Sequence, residues 1–309
     1  MATTTSITTT YAGEFAGQYI SAALLSANTL DKGGILIKPN IKYKEVVKTI
    51  STDAIVANAT CDFADTSTVT LAERILQPEE FQVNLELCKK DFRSDWEAAQ
   101  MGISVYDNLP PKFSDFLLAH VAAKVAQKTE QTIWEGANSN AGEYDGLVTL
   151  ALADSGVIDV ASHAAVTSSN VIAKLGSIVD AIPSTLYGRE DLFLYVSQNI
   201  ARAYVRALGG FASGVGSNGF SAQGTMWYDN GALTFDGVKI FVANGLADDT
   251  AMATYKDNLM FGTGLLSDSN EVKVIDMSEV DGSQNVRVIM RYTAGVQFGI
   301  AGDVVLYHA

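Results

Sequence analysis

The chain has little of what most catalytic and secreted proteins need. Among 309 residues there are two cysteines, Cys61 and Cys88, and three histidines, His120, His163 and His308. Two cysteines cannot build a disulfide framework, so a reducing compartment is the expectation. They lie 27 positions apart, which excludes a C-x-x-C motif, and no histidine has a second His, Cys or Asp at metal-ligand spacing. Basic residues are also scarce, 21 against 35 acidic, giving a net charge of −14. A protein that grips nucleic acid through phosphates carries a basic stripe, and this composition cannot supply one globally. No apolar run nears the roughly 20 residues that span a bilayer, and the start MATTTSITTTYAGEF lacks the features of a signal peptide. A soluble protein made in a cytoplasm, with no membrane partner, is expected.

What is present is apolar residues. They make up 48%, enough for a sizeable core, and the mean hydropathy of +0.13 also suits extensive subunit contacts. Charge is uneven. Residues 1–140 carry 12 basic and 17 acidic side chains, residues 141–309 carry 9 and 18.

Residues 2–10 are Thr-rich and bury nothing alone. A short helix is expected over 13–27, followed by a basic stretch with Lys32, Lys38, Lys42, Lys44 and Lys48. The Val/Ile/Thr-rich residues 46–76 read as β-structure with a loop near 58–68. Phe81, Val83, Leu85 and Leu87 alternate with polar residues, the clearest strand in the chain. Pro110-Pro111 opens a long helix over 112–135, with Phe113, Phe116, Leu117, Val121, Val125 and Ile133 on one face and Gly136 as its stop. At about 1.5 Å per residue it reaches roughly 36 Å, the length of a strut.

Residues 146–160 are mixed. Helices are expected over 170–186, ending near Pro183, and over 199–210, with a strand at 192–197 between them. A Gly/Ser-rich loop covers 211–224. Strands then follow at 231–245 around an Asp236-Gly237 turn, and at 258–266, 271–277, 285–292 and 296–307. The fold class is α+β, without internal repeats.

Catalytic readings find little support. Gly214, Gly216 and Gly219 spell G-x-G-x-x-G, but a helix precedes them and strands follow, the reverse of a dinucleotide site. His120 reads as a satisfied, partly buried side chain, and Asp248-Asp249 and Glu79-Glu80 as solvated carboxylates. No cofactor, metal or catalytic residue is assigned.

The order of elements and several phrases resemble the Hong Kong 97-type major capsid proteins of tailed bacteriophages. ILQPEEFQVNLELCKKDF (75–92) looks like the return strand of the extended loop, NLMFGTGLLSDSNEVKVIDM (258–277) like the passage between domains, and NVRVIMRYTAGVQFGIAGDVVLY (285–307) like the closing strands. The resemblance covers essentially the whole chain and rests on no invariant motif. It implies an N-terminal arm (1–45), an extended β-hairpin loop (46–90), a peripheral domain with the spine helix (91–145), an axial domain (146–262) and return strands (263–309). It implies a non-enzymatic shell subunit of hexamers and pentamers around double-stranded DNA. Portal protein, and scaffolding or decoration proteins, would be partners, with DNA touched only by non-specific proximity. The site of assembly would be the host cytoplasm and the destination the virion. No helical scaffolding segment precedes the arm, so separate or dispensable scaffolding is expected.

Charge suggests how subunits could pair: the basic Lys38, Lys42, Lys44 and Lys48 against the acidic hairpin tip, Asp53, Asp62 and Asp65. Each exposed pair would add only about 0–1 kcal/mol. The glycine-rich loop, with Gly209, Gly210, Gly214 and Gly216, is the other candidate contact, near the hexamer or pentamer centre. Some members crosslink through a lysine on the extended loop. Here none lies between Lys48 and Lys89, so no isopeptide bond is expected. Two other readings are an encapsulin-like cargo compartment and an α+β enzyme or binding module, which would be monomeric or a small oligomer and need a convergent polar pocket.

Overall fold

The structure, a computed structural model, describes residues 28–309 except 53–54, 57, 60, 62–66, 89–110, 161–163, 210–232, 265–271 and 280–281. In chain order the elements are α1 (Asn28–Asp31), β1 (Leu36–Lys38), β2 (Glu45–Thr52), β3 (Val69–Leu76), β4 (Glu79–Cys88), α2 (Pro111–Glu135), α3 (Leu147–Ala153), β5 (Ile158–Asp159), α4 (Val171–Asp180), β6 (Leu192–Val196), α5 (Gln198–Gly209), β7 (Thr234–Phe235), β8 (Val238–Val242), β9 (Ala251–Tyr255), β10 (Leu259–Gly262), β11 (Val272–Asp276), β12 (Asn285–Phe298) and β13 (Val305–Tyr307). The α+β class holds.

One core surrounds a six-stranded sheet ordered β5-β13-β9-β6-β8-β7. Side chains of a strand alternate between faces, and here both faces are buried. Leu192, Leu194 and Val196 of β6 join Ala251 and Ala253 of β9 and Val305 and Tyr307 of β13 under α4 and α5. The residues between them, Tyr195, Met252 and Leu306, face the other way. They pack with Ile133 and Trp134 of α2 and Leu147, Val148 and Ala151 of α3. Each fully buried aliphatic or aromatic side chain contributes about 1.5–3 kcal/mol. The β7–β8 turn has positive φ at Asp236 (45°) and Gly237 (80°), the paired left-handed turn that the Asp-Gly dipeptide suggested.

A second, five-stranded sheet is built on β12. The strand β11 pairs with residues 286–290 of β12, β10 with residues 295–298, and β1 lies parallel outside β10. The whole of β4 also pairs with β12, from Glu79 opposite Ala294 to Cys88 opposite Asn285. Val121 and Val125 of α2 pack on Val83, Leu85, Leu87, Val274 and Val288 of this sheet. The apolar periodicity of both elements is thereby explained by one contact. The side chains of Phe113, Phe116 and Leu117 lie outside the described residues, as does the helix expected over 13–27.

Three expectations are corrected. The alternating strand 79–88 is not the return strand of the hairpin. That strand is β3, paired with β2 from Glu45–Leu76 to Thr52–Val69. The segments 285–292 and 296–307 do not form two strands. Residues 285–298 run as one, and only 305–307 form the next. Asp249 is not merely a solvated carboxylate: it accepts hydrogen bonds from the Val166 N–H and the Asn199 side-chain amide. Gly136 does follow α2, though for a reason of space. A Cβ there would come within 2.3 Å of the Tyr144 carbonyl oxygen.

Candidate assembly surface

The β2–β3 hairpin stands on the body by its base. Ile41, Leu76 and Met260 form a small buried cluster there, flanked by Leu36 and Val47. Beyond the base the register sorts the side chains cleanly. One face carries the opposed pairs Val46–Ile75, Lys48–Glu73, Ile50–Leu71 and Thr52–Val69. Its apolar members are all exposed: Val46, Ile50 (69%), Val69, Leu71 (66%) and Ile75. A two-stranded hairpin is marginal alone in water. This one turns five branched aliphatic side chains outward on one face. Burying them is worth about 5–10 kcal/mol before the costs of association.

The opposite face is held down near its base. The Arg74 guanidinium meets the Asp154 carboxylate at 2.5 Å and stacks over the Phe298 ring, 4.5 Å from its centroid. The Gln297 side-chain amide donates to the Ile75 carbonyl. Arg74 holds the Asp154 carboxyl below the usual carboxylate range, reinforced by the Gly156 N–H.

The lysines singled out by sequence divide. Lys38 sits on β1 and pairs with Glu45 of its own chain at 2.5 Å. Lys42 and Lys44 are exposed between β1 and β2, with the Lys44 ammonium 5.2 Å from the Tyr43 ring centroid. Lys48 is exposed on the apolar face of the hairpin, opposite Glu73. Their expected acidic partners, Asp53, Asp62 and Asp65, lie outside the described residues. Gly209 is the last residue of α5, and Gly210, Gly214, Gly216 and Gly219 lie outside. Sequence reasoning missed the apolar face. Its signal was Val46 and Ile50 on one strand and Val69, Leu71 and Ile75 on the other, all at even spacing.

A shallow cavity of about 370 Å³ lies at the end of α2, lined by residues that include Glu135, Glu143, Asn244 and Ala247. Its carboxylates are engaged. Glu135 accepts from the Ala247 N–H, and Glu143 accepts from Lys128, the Asn140 side chain and the Ala137 N–H. Among the described residues no group of three or more His, Cys, Asp and Glu could hold a metal ion, and no helix is long and apolar enough to cross a membrane. His120 is half-buried on α2, and His308 lies 4.0 Å from Asp159.

No family model matches the sequence, and no curated protein matches it. Solved structures do match. The capsid of an empty GTA particle is 12% identical over 95% of this chain and 94% of that one, with a TM-score of 0.59. The capsid of Myoviridae phage XM1 is 11% identical over 95% of each chain, with a TM-score of 0.60. That of cyanophage P-SCSP1u is 13% identical over 96% and 92%, with a TM-score of 0.56. The chain has the Hong Kong 97-type capsid fold. At such identities the likeness speaks of topology.

Proposed function

We propose that this chain is the major capsid protein of a tailed bacteriophage, a structural subunit without catalytic activity. Hexamers and pentamers of it would close into an icosahedral shell around double-stranded DNA. The observation that carries the reading is the hairpin: its apolar face, Val46, Ile50, Val69, Leu71 and Ile75, is left exposed by the described residues. A neighbouring copy is the occupant that supplies cover at every position of a closed lattice.

In this reading residues 1–45 are an arm and 46–90 an extended loop, whose hairpin runs from Glu45 at the arm's end to Leu76 and whose remainder, β4, lies in the sheet of β12. Residues 91–145 and 263–309 make a peripheral domain and 146–262 an axial domain, with β10 exchanged into the sheet of β12 and β13 into the sheet of β6 and β9. The exposed lysines Lys42, Lys44 and Lys48 meet acidic residues of a neighbour's loop tip, and the loop after Gly209 approaches the hexamer or pentamer centre. Portal, scaffolding or decoration proteins, and DNA held without specific contacts, complete the assembly. It would form in the host cytoplasm and persist in the virion. The net charge of −14 suits a wall that contains DNA without gripping it.

Negative-stain electron microscopy of the purified chain, with light scattering on the same sample, tests the proposal. Closed shells, or free hexamers and pentamers, are expected. A uniform monomer or dimer at high concentration, with or without scaffold, would refute it.

A further inference from the structure

The segment from Asn28 to Glu45 is a strap that touches α2, the end of β8, β6, β10 and the base of the hairpin in turn. Its root is polar and buried. Glu130, in the last two turns of α2, is fully buried. Its two oxygens accept from the Thr29 hydroxyl (2.5 Å) and the Thr29 N–H (3.1 Å). The Gly245 N–H donates to the same carboxylate, and Trp134 donates its indole N–H to the Thr29 hydroxyl at 2.9 Å. Beside this clasp, Asn28 donates to the Val242 carbonyl and accepts from the Asn244 N–H, which ties the root to the end of β8.

The strap then crosses β6, where the Tyr195 hydroxyl donates to the Gly34 carbonyl at 2.5 Å. Gly34 lies so close to the Phe241 ring that a Cβ would stand 2.8 Å from it. Next, β1 zips along β10, and the Asn40 and Ile41 N–H groups donate to the Gly264 and Thr263 carbonyls. Ile41 finally enters the cluster that holds Leu76 of β3, with Val47 of β2 against it. Lys38 and Glu45 bridge the last turn.

Each link is shared by two elements, so no part of the strap can lift without exposing the next. A buried carboxylate stripped of its donors is expensive, which makes the root the hardest point to open. We infer that the Thr29–Glu130 clasp is a latch that couples the root of the N-terminal segment to the base of the hairpin, so that residues 28–45 and the hairpin base open as one unit. The hairpin angle is then set partly by a contact two sheets away. This does not rest on the shell reading, because the coupling is a property of the single chain.

Native-state hydrogen exchange on the full chain tests it, using Thr29→Val with Thr29→Ser as the variant that keeps the hydroxyl. The Val variant should speed exchange at least tenfold in residues 28–41 and equally in the hairpin base, 45–47 and 74–76. Leu192–Val196 should keep wild-type rates, and the Ser variant should restore most of the protection. Glu130→Gln, which turns an acceptor into a donor facing the same N–H groups, should give the same pattern. Faster exchange confined to 28–34 would overturn the coupling. So would equal acceleration throughout the molecule, or no change in any segment.

Discussion

Arg74 and Asp154 join the hairpin to the body at 2.5 Å, and the same guanidinium covers the Phe298 ring. Both side chains are about one-quarter exposed, so the ion pair contributes only about 1 kcal/mol and the ring contact about 0.5–1 kcal/mol. The pair matters more for direction than for stability, since β3 rejoins the body at this point. Arg74→Ala should lower the melting temperature by about 2–6 °C. It should also make the hairpin a preferred site of protease nicking while the sheets stay intact. Arg74→Lys keeps the charge but neither the planar fork nor the stacking, and should behave more like Ala than like the wild type. Limited proteolysis with mass mapping reads both effects.

Acid should loosen the loop after α2 before it unfolds the rest. Hydrogen bonds from Lys128, Asn140 and the Ala137 N–H hold the Glu143 carboxyl at about 2, against an ordinary value of 4.5. A depressed carboxyl contributes its stability in full above the unfolded value and loses it as pH falls through the folded one. The window is therefore about pH 4.5 down to about 2. Denaturant midpoints measured across it should fall, and Glu143→Gln should flatten this part of the curve. Glu135 runs the other way: burial raises its carboxyl, so its protonation on acidification opposes the loss.

Elements that show one wet and one dry face were legible in the sequence. Phe81, Val83, Leu85 and Leu87 announced a strand, and Val171, Leu175 and Ile178 a helix, because local periodicity records local burial. The partner of a strand is a different matter. Val288 lies opposite Leu85 across some 200 positions, and nothing near residue 85 encodes that choice. β9, AMATY, went unseen because Ala251, Met252, Ala253 and Thr254 are all buried, which erases alternation. The break read between 292 and 296 came from Ala294-Gly295, small residues needed where Gln77 and Pro78 pass within 3 Å of a Cβ built at Gly295. At the candidate surface the lysines stood out by composition. The apolar hairpin face did not, since a sequence cannot distinguish a face buried in its own core from one awaiting another chain.

Two glycines should respond oppositely to one methyl group. At Gly245 a Cβ would lie 2.0 Å from the Glu130 carbonyl oxygen and 2.9 Å from the Trp134 ring. Backbone cannot move aside cheaply, and the Gly245 N–H also serves the Glu130 carboxylate. Gly245→Ala should cost about 3 kcal/mol or leave the chain insoluble. Gly176, within α4, has nothing within 4 Å of the added atom. Gly176→Ala should stabilise by about 0.5–1 kcal/mol through helix propensity. Chemical denaturation of the two variants decides both.

Denatured shells should release intact monomer. No lysine lies between Lys48 and Lys89, so the hairpin beyond Lys48, and its tip, has no amine with which to bond a neighbour covalently. A ladder on a denaturing gel would contradict this.

The hairpin face separates folding from assembly. Ile50 and Leu71 sit directly opposite each other, both about two-thirds exposed. Replacing both by Asp removes apolar area that is mostly exposed in the isolated chain, and sets two like charges across one strand pair at a cost of roughly 0.2–1 kcal/mol. The circular dichroism spectrum and melting temperature should stay close to wild type. Particle formation, read by light scattering, should fall at least tenfold, because an interface that buries both side chains would lose about 3 kcal/mol or more per copy. Thr49→Asp and Ala72→Asp place the same charges on the other face of the hairpin at the same height. If that pair impairs assembly equally while Ile50→Asp and Leu71→Asp do not exceed it, the apolar face has no special role. If only the Ile50 and Leu71 pair stops assembly, the covered face is the one that the register defines.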